Sequence, residues 1–133
     1  MVLETPCLLI TDDDRDFRET LSDVFERRGF RILLSGDGEQ TLEIVRQQSV
    51  HILLMDMHLP RITGLETFRR VRQFQSQLPC ILVSAALDDS IVAEAAQSHV
   101  FSVLPKPFRC SQITEIVGRA LRQNYNWPIL GGE

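Results

Sequence analysis

The chain alternates between short apolar runs and longer segments whose apolar residues repeat with a helical period. The short runs have the length of strands: CLLIT (7–11), FRILLS (30–35), HILLMD (51–56), CILVS (80–84) and VFSVL (100–104). Several of them are apolar throughout rather than alternating, which favours a parallel sheet that is covered on both faces. We therefore predict a five-stranded parallel sheet.

The segments that follow the strands carry apolar residues every three to four positions, which is typical of amphipathic helices. Predicted helices cover 14–28, 37–48, 65–75 and 88–97, and a fifth carries Ile113, Ile116, Val117 and Leu121. Asp37 and either Asp88 or Asp89 are predicted N-caps, and Gly29 holds the position of a helix-ending glycine. Strands and helices that alternate in this way predict a doubly wound α/β domain.

Composition places the chain among ordinary globular domains. With 133 residues, of which 44% are apolar and 24% charged, it is long enough to bury one core. We assign residues 1–123 to a single domain. Residues 124–133, NYNWPILGGE, break the helical pattern and are predicted to be a tail or the start of a linker.

Charge, hydropathy and cysteine content argue against several classes of function. The net charge of −4 argues against direct nucleic-acid binding. No apolar run approaches the roughly 18 residues that span a bilayer, and the first residues lack a secretory signal, so we expect a cytoplasmic protein without a membrane partner. The three cysteines form no CxxC pair, which indicates reduced thiols and no zinc site.

Polar side chains stand where the predicted strands end. Asp12 and Asp13 follow the first strand, Asp56 ends the third, Ser84 ends the fourth, and Lys106 follows the fifth. The carboxyl ends of parallel strands meet at one edge of a doubly wound sheet, which is where ligands bind. We therefore expect these five side chains to converge.

Such a cluster suits phosphoryl transfer. Three carboxylates repel one another unless a cation intervenes, and Mg²⁺ accepts oxygen ligands together with a phosphate oxygen. Lys106 adds a positive charge and Ser84 a hydroxyl, while aspartate is a known covalent acceptor of phosphoryl groups. Taken alone, Asp56 also fits a capping or turn residue where a strand surfaces. Within the cluster it is the candidate acceptor, because it is the lone acid at its strand end.

Four motifs in order carry a family resemblance. LLITDDD, LLMDMHLPRITG, ILVSAA and LPKPF together resemble the receiver domains of two-component response regulators, over about residues 5–123. The intervals from Asp12 to Asp56, Ser84 and Lys106 are 44, 28 and 22 residues, and the four motifs at these intervals are highly specific. The resemblance implies a flavodoxin-like fold with strand order 2-1-3-4-5 and five helices.

The resemblance also implies a role for each site residue. These are Asp56 as phosphoacceptor and metal ligand, Asp13 as direct Mg²⁺ ligand, Asp12 as the acid that holds metal-bound water, the backbone carbonyl of His58 as a further metal ligand, Ser84 as the switch hydroxyl and Lys106 as the family's lysine. Pro60 and Gly64 match the family's loop, and the peptide bond before Pro107 is expected to be cis.

The implied function is that of a signalling phosphoacceptor, which promotes its own phosphotransfer and dephosphorylation and is not a metabolic enzyme. It would accept a phosphoryl group on Asp56 from a phosphohistidine in a two-component phosphorelay and switch a partner-binding surface. The implied partners are a histidine kinase or phosphotransfer protein, and an output domain or effector protein. Homodimerisation is left open.

The sequence departs from the family pattern at three places. Val103 stands where an aromatic residue is usual, and Phe101 is expected to face the same side of the strand, either as a substitute reporter or as core. The His58 side chain is either an incidental loop residue or tunes hydrolysis of the acyl phosphate. His99 and Val100 replace a common Gly-Ala pair.

Three other functions share part of this pattern. A haloacid dehalogenase-type phosphatase also uses a nucleophilic Asp, Mg²⁺ and a lysine, but Asp-Met-His at the third strand supplies no second acid. A flavodoxin-like cofactor domain needs a phosphate-cradling loop after the first strand, where acids stand instead. The third alternative is a phosphorylation-independent interaction module (a pseudo-receiver), against which the complete acidic set argues.

Overall fold

A five-stranded parallel sheet forms the centre of the computed structural model, which describes residues 5–125 and 127. The strands are β1 (Cys7–Thr11), β2 (Arg31–Ser35), β3 (Ile52–Asp56), β4 (Cys80–Ser84) and β5 (Ser102–Pro105). They lie in the order β2-β1-β3-β4-β5, and every pairing is parallel. The predicted fold class and strand order are confirmed.

Five helices follow the strands in turn. They are α1 (Arg15–Glu26), α2 (Gly38–Gln47), α3 (Gly64–Arg72), α4 (Asp89–Gln97) and α5 (Cys110–Asn124). Asp37 caps α2 through the Gln40 N–H, and Asp88 caps α4, so Asp89 is the first helical residue. None of these helices is long and apolar enough to cross a membrane.

The sheet is buried between two apolar layers. One layer packs α1 and α5 against Leu8, Ile10, Ile52, Leu54, Ile81 and Val83 of the sheet. The other packs α2, α3 and α4 against Leu9, Leu53, Met55 and Leu82. Because helices cover both faces, alternate residues of a strand enter opposite layers, which explains why β1, β3 and β4 are buried throughout and apolar up to their last residue.

Phe101 and Val103 enter opposite layers. Phe101 packs into the α1–α5 layer, whereas Val103 packs into the layer of α2, α3 and α4. The prediction that they face the same side is therefore wrong. Phe101 lies in a bend one residue before β5 begins, and strand alternation holds only within extended backbone. Phe101 thus does not occupy the place of the usual aromatic.

Helices α1 and α4 end in the same way. Gly29 and His99 have φ of 90° and 65°, and each follows a helix whose last turn closes with a pair of backbone hydrogen bonds. Phe30 N–H donates to the Phe25 carbonyl at the first end, and Val100 N–H to the Ala95 carbonyl at the second. This Schellman ending favours glycine at the residue with positive φ, because glycine adopts the left-handed conformation without a steric penalty. His99 therefore adopts the conformation for which the family's usual glycine is suited.

Two aromatic residues after α5 contact the apolar core. Tyr125 and Trp127 pack against the α1–α5 layer, although both lie in the predicted tail. Asn126 and residues 128–133 of that segment lie outside the described residues, as do residues 1–4. Among the cysteines, Cys7 and Cys80 are buried, Cys110 is exposed and all three are free thiols.

Candidate functional site

The register of the sheet brings the predicted acids together. Thr11 pairs with Met55, so Asp12 is level with Asp56 at the carboxyl edge of the neighbouring strand. One carboxylate oxygen from each of Asp12, Asp13 and Asp56 lies within 4.8 Å of the other two. Asp12 is 1% exposed and Asp56 8%, whereas Asp13 is exposed to solvent. The cluster is therefore partly buried at the sheet edge and accessible to solvent at Asp13.

Lys106 bridges two of these acids. Its Nζ donates to Asp12 Oδ2 at 2.7 Å and to Asp56 Oδ2 at 3.3 Å, and lies 4.1 Å from the centre of the Phe17 ring. Burial alone would lower the pKa of Lys106, but the hydrogen bond and charge of Asp12, followed by those of Asp56, outweigh it and raise the pKa. The ammonium group therefore stays charged at neutral pH.

The turn after β1 fixes the direction of the Asp12 side chain. Asp14 N–H donates to Asp12 Oδ1 at 2.8 Å, and the Arg18 guanidinium donates to the Asp12 carbonyl at 2.6 Å. Asp14 itself caps α1 through its own carboxylate. Arg18 was missed in the sequence analysis. Its signal was its place one helical turn after Asp14, which puts it on the side of α1 that faces the turn.

The loop after β3 is closed tightly beneath Asp56. Gly64 N–H donates to the Met57 carbonyl at 2.8 Å, and a Cβ added at Gly64 would collide with the Asp56 carbonyl. Glycine is needed here for this close approach rather than for its φ. His58 N–H donates to Asp56 Oδ1 at 3.0 Å. The loop therefore holds the Asp56 carboxylate from one side while Lys106 holds it from the other.

Ser84 contacts the side chain of His58, which the sequence did not predict. It is fully buried at the end of β4, and its Oγ lies 2.8 Å from Nε2 of His58. The same oxygen accepts the Ala86 N–H at 3.1 Å. The sequence showed that Ser84 and His58 stand near the same sheet edge, but 26 positions separate them and their spacing carries no sign of a contact. The His58 side chain is thus a neighbour of the predicted switch hydroxyl.

The donors of this cluster fit a hard divalent cation. Three carboxylates and one ammonium group leave two negative charges uncompensated within a space of 4.8 Å. Oxygen ligands that also leave room for water and a phosphate oxygen are those Mg²⁺ prefers. Asp12, Asp13, Asp56 and the His58 carbonyl would hold it. When bound, Mg²⁺ would neutralise charge on phosphoryl oxygens.

An apolar cleft of about 320 Å³ adjoins the cluster on the α1 side. It is lined by Phe17, Ala85, Lys106, Pro107 and Phe108, and the peptide bond before Pro107 is cis as expected. The rings of Phe17 and Phe108 meet edge to face with their centres 5.9 Å apart. The cleft therefore combines an apolar wall with one ammonium group next to the acids.

Comparisons with known proteins identify the family of this chain. The family model described as "Response regulator receiver domain" matches residues 8–118. The transcriptional regulatory protein CpxR of Escherichia coli K12 is 29% identical over 118 residues, which is 89% of this chain and 50% of CpxR. The transcriptional regulatory protein AfsQ1 of Streptomyces coelicolor is 32% identical, again over 89% of this chain and 52% of its own length. The chain thus spans about half the length of these relatives.

Solved structures share the fold. The crystal structure of a CheY-like response regulator receiver domain protein from Methanospirillum hungatei JF-1 superposes with a TM-score of 0.87. It is 17% identical, and the match covers 90% of this chain and 96% of that one. At this identity the likeness shows the fold alone, whereas the family model covers most of the chain and shows the family. The chain belongs to the response regulator receiver domain family.

Proposed function

We propose that Asp56 accepts a phosphoryl group from a phosphohistidine of a histidine kinase or phosphotransfer protein, and that this switches a partner-binding surface. The observation that carries the proposal is the bridge of Lys106 between Asp12 and Asp56, inside a cluster of acids with uncompensated negative charge. Such a bridge orients a carboxylate at the sheet edge without satisfying all its oxygen lone pairs. Members of this family are signalling domains rather than metabolic enzymes.

The transfer is a displacement at phosphorus. An Asp56 oxygen forms a bond to phosphorus while the bond from phosphorus to the donor's imidazole nitrogen breaks, and the imidazole leaves with the electron pair. Lys106 and His58 N–H, which both contact Asp56, are placed to stabilise negative charge next to the new acyl phosphate. In the later hydrolysis, water attacks phosphorus and the bond from phosphorus to the Asp56 oxygen breaks, which releases inorganic phosphate and a proton and restores the Asp56 carboxylate.

The apolar cleft is the proposed docking place for the donor. It lies beside Lys106, and a phosphohistidine has to reach Asp56 from outside the same sheet edge. Phe17 and Phe108 would contact apolar side chains around the donor histidine, because burial of the exposed part of these partly buried rings stabilises association. The cleft supports the proposed partner class and leaves its individual identity open.

The switch is proposed to run through Ser84 rather than through an aromatic ring. Ser84 Oγ would turn to donate to a phosphoryl oxygen, and the connection to α4 that follows it would move as well. Val103 cannot make a ring rotation, and Phe101 packs in the opposite layer. A large rotamer change of an aromatic residue near β5 between the free and phosphorylated forms would contradict this route.

The alternative is a pseudo-receiver that binds partners without phosphorylation. Incubation with acetyl phosphate and Mg²⁺, followed by intact-mass measurement, separates the two functions. We expect wild type to gain the mass of one phosphoryl group, and Asp56→Asn to gain none because an amide is a poor nucleophile. Asp23→Asn removes an exposed acid of α1 as the matched control. An unmodified wild type would favour the pseudo-receiver.

The output partner is proposed to be an effector or an output domain. CpxR and AfsQ1 are named as transcriptional regulatory proteins, and each is about twice as long as the segment that matches this chain. A phosphorylation-dependent change in partner binding is therefore the expected signal. Homodimerisation on phosphorylation is one form this change can take, and sedimentation of the acetyl phosphate-treated protein would reveal it.

A further inference from the structure

The Ser84 hydroxyl is held by two contacts at the end of β4. The side chain is fully buried, its Oγ accepts the Ala86 N–H at 3.1 Å and lies 2.8 Å from His58 Nε2. A hydroxyl has one proton to donate and two lone pairs. One lone pair is used by Ala86. The direction of the bond to His58 therefore decides what remains free.

Burial indicates that direction. A buried hydroxyl whose proton has no acceptor destabilises the folded chain. Among the described residues, His58 Nε2 is the acceptor within hydrogen-bond distance of the Ser84 proton. Ser84 O–H therefore donates to His58 Nε2, and its single proton is committed to this bond. The same proton would be needed to bond a phosphoryl oxygen on Asp56.

The backbone around Ser84 permits a change of partner. Its carbonyl accepts the Lys106 N–H at 2.9 Å, which anchors the end of β4 to the start of the next connection. Rotation about the Ser84 side chain moves Oγ without breaking this bond. His58, in contrast, is an exposed residue of the loop after β3, and its ring can leave without opening the core.

We propose that the His58–Ser84 hydrogen bond is a latch that holds the unphosphorylated conformation. The inference rests on the proposed function of Asp56 and assigns regulation to the same site. Ser84 can donate to a phosphoryl oxygen only after it releases His58, so part of the free energy of phosphoryl binding is used to break this bond. His58 is in this respect a positioning residue, which acts through Ser84.

The latch predicts how tightly a phosphoryl analogue binds. Beryllofluoride with Mg²⁺, titrated by calorimetry, gives the affinity at equilibrium and is independent of hydrolysis. His58→Ala should bind beryllofluoride about two- to tenfold more tightly than wild type, the range that one net hydrogen bond supplies. His58→Gln, whose amide reaches about as far as Nε2, should restore wild-type affinity.

A double-mutant cycle with Ser84→Ala tests whether the effect passes through the hydroxyl. In the Ser84→Ala background, His58→Ala should leave the affinity for beryllofluoride unchanged, because the bond it removes is already absent. An equal effect of His58→Ala in both backgrounds, or a His58→Gln variant that behaves like His58→Ala, would overturn the latch.

The proposed function can fail separately. If wild type binds no beryllofluoride and gains no phosphoryl mass from acetyl phosphate, phosphoacceptance itself is wrong and the latch falls with it. If wild type is loaded and the cycle is additive, the phosphoacceptor stands and the latch alone is wrong. Urea unfolding of each variant confirms that the compared proteins are folded.

Discussion

The polar groups at the two edges of the sheet differ in their charge. At the carboxyl edge, the carboxylates of Asp12, Asp13 and Asp56 lie together, and Lys106 pairs with two of them, Asp12 and Asp56. At the amino edge, His51 Nδ1 accepts the Cys7 N–H at 2.9 Å, and the His51 carbonyl accepts the Tyr125 hydroxyl at 2.7 Å. The two contacts of His51 join neutral groups, whereas the acids at the carboxyl edge outnumber their counter-charge.

Aromatic rings add to this contrast. Phe30 stacks edge to face between Phe25 and Trp127, with ring centres 5.1 and 5.6 Å apart, and the rings of His51 and Tyr125 meet at 5.4 Å. Such contacts stabilise beyond the area they bury. Clustered like charges, in contrast, destabilise a folded chain until a cation binds. The aromatic contacts and the acidic cluster therefore lie at opposite ends of the strands, so substitutions at the two ends should affect stability and phosphoryl uptake separately.

The largest expected effect belongs to the amino edge. Phe30→Ala should lower the free energy of unfolding by about 3–5 kcal/mol, because it leaves a cavity between two rings. Phosphoryl uptake per folded molecule should not change, since Phe30 lies at the far end of the sheet from Asp56. Urea unfolding and acetyl phosphate labelling measure the two properties.

A phenylalanine outside the core is the matched control for this experiment. Phe74 is 40% exposed and lies under the Arg46 guanidinium at 4.9 Å. Phe74→Ala should lower the free energy of unfolding clearly less than Phe30→Ala does. Equal losses, or a loss of uptake in folded Phe30→Ala, would break the separation of the two edges.

The intermediate effect belongs to the carboxyl edge. Asp13→Asn removes one negative charge from the cluster, so without metal it should raise the urea midpoint. The same change should weaken Mg²⁺ binding by about tenfold or more, because a charged ligand is lost. For wild type, Mg²⁺ at one hundred times its Kd should add about 2.7 kcal/mol of stability.

Stability against Mg²⁺ concentration reads out this prediction without any activity measurement. Asp13→Asn should begin above wild type and be overtaken as Mg²⁺ is added. Asp23→Asn, which removes an exposed charge elsewhere, should follow the wild-type curve. Two parallel curves for wild type and Asp13→Asn would show that the acids do not form a metal site.

The sequence predicted the carboxyl edge better than the amino edge. Apolar runs define strands, and the residue types at their ends, such as Asp56 and Ser84, were visible without coordinates. Contacts between loops could not be predicted from the sequence, because side-chain directions in loops follow no regular period. The side on which Phe101 packs and the contact of His58 with Ser84 both depend on such local directions.

The aromatic contacts at the amino edge could not be predicted for a related reason. Tyr125 and Trp127 follow the last helix, where the apolar period stops, and a broken period indicates a tail rather than a packed segment. Their partners, His51 and Phe30, lie far away along the chain. A lone aromatic pair in a short segment carries too little pattern to be assigned, although aromatic side chains bury much area once a surface is offered.

The smallest expected effect is a pH dependence at the amino edge. Burial lowers the pKa of His51, whose Nδ1 accepts the Cys7 N–H, so the folded protein holds the neutral imidazole. Tyr125 does not titrate in this range, because burial raises its pKa to about 12. The unfolded chain takes up its proton at about pH 6.5, before the folded one does. Stability from His51 is therefore full above about pH 6.5 and lost as the pH falls through the lower folded pKa.

His51→Gln isolates this contribution, because the amide oxygen can still accept the Cys7 N–H but takes up no proton. As the pH falls below about 6.5, the urea midpoint of wild type should decrease more than that of His51→Gln. If wild type and His51→Gln lose stability in parallel as the pH falls, uptake of a proton by His51 does not contribute to the pH dependence of stability.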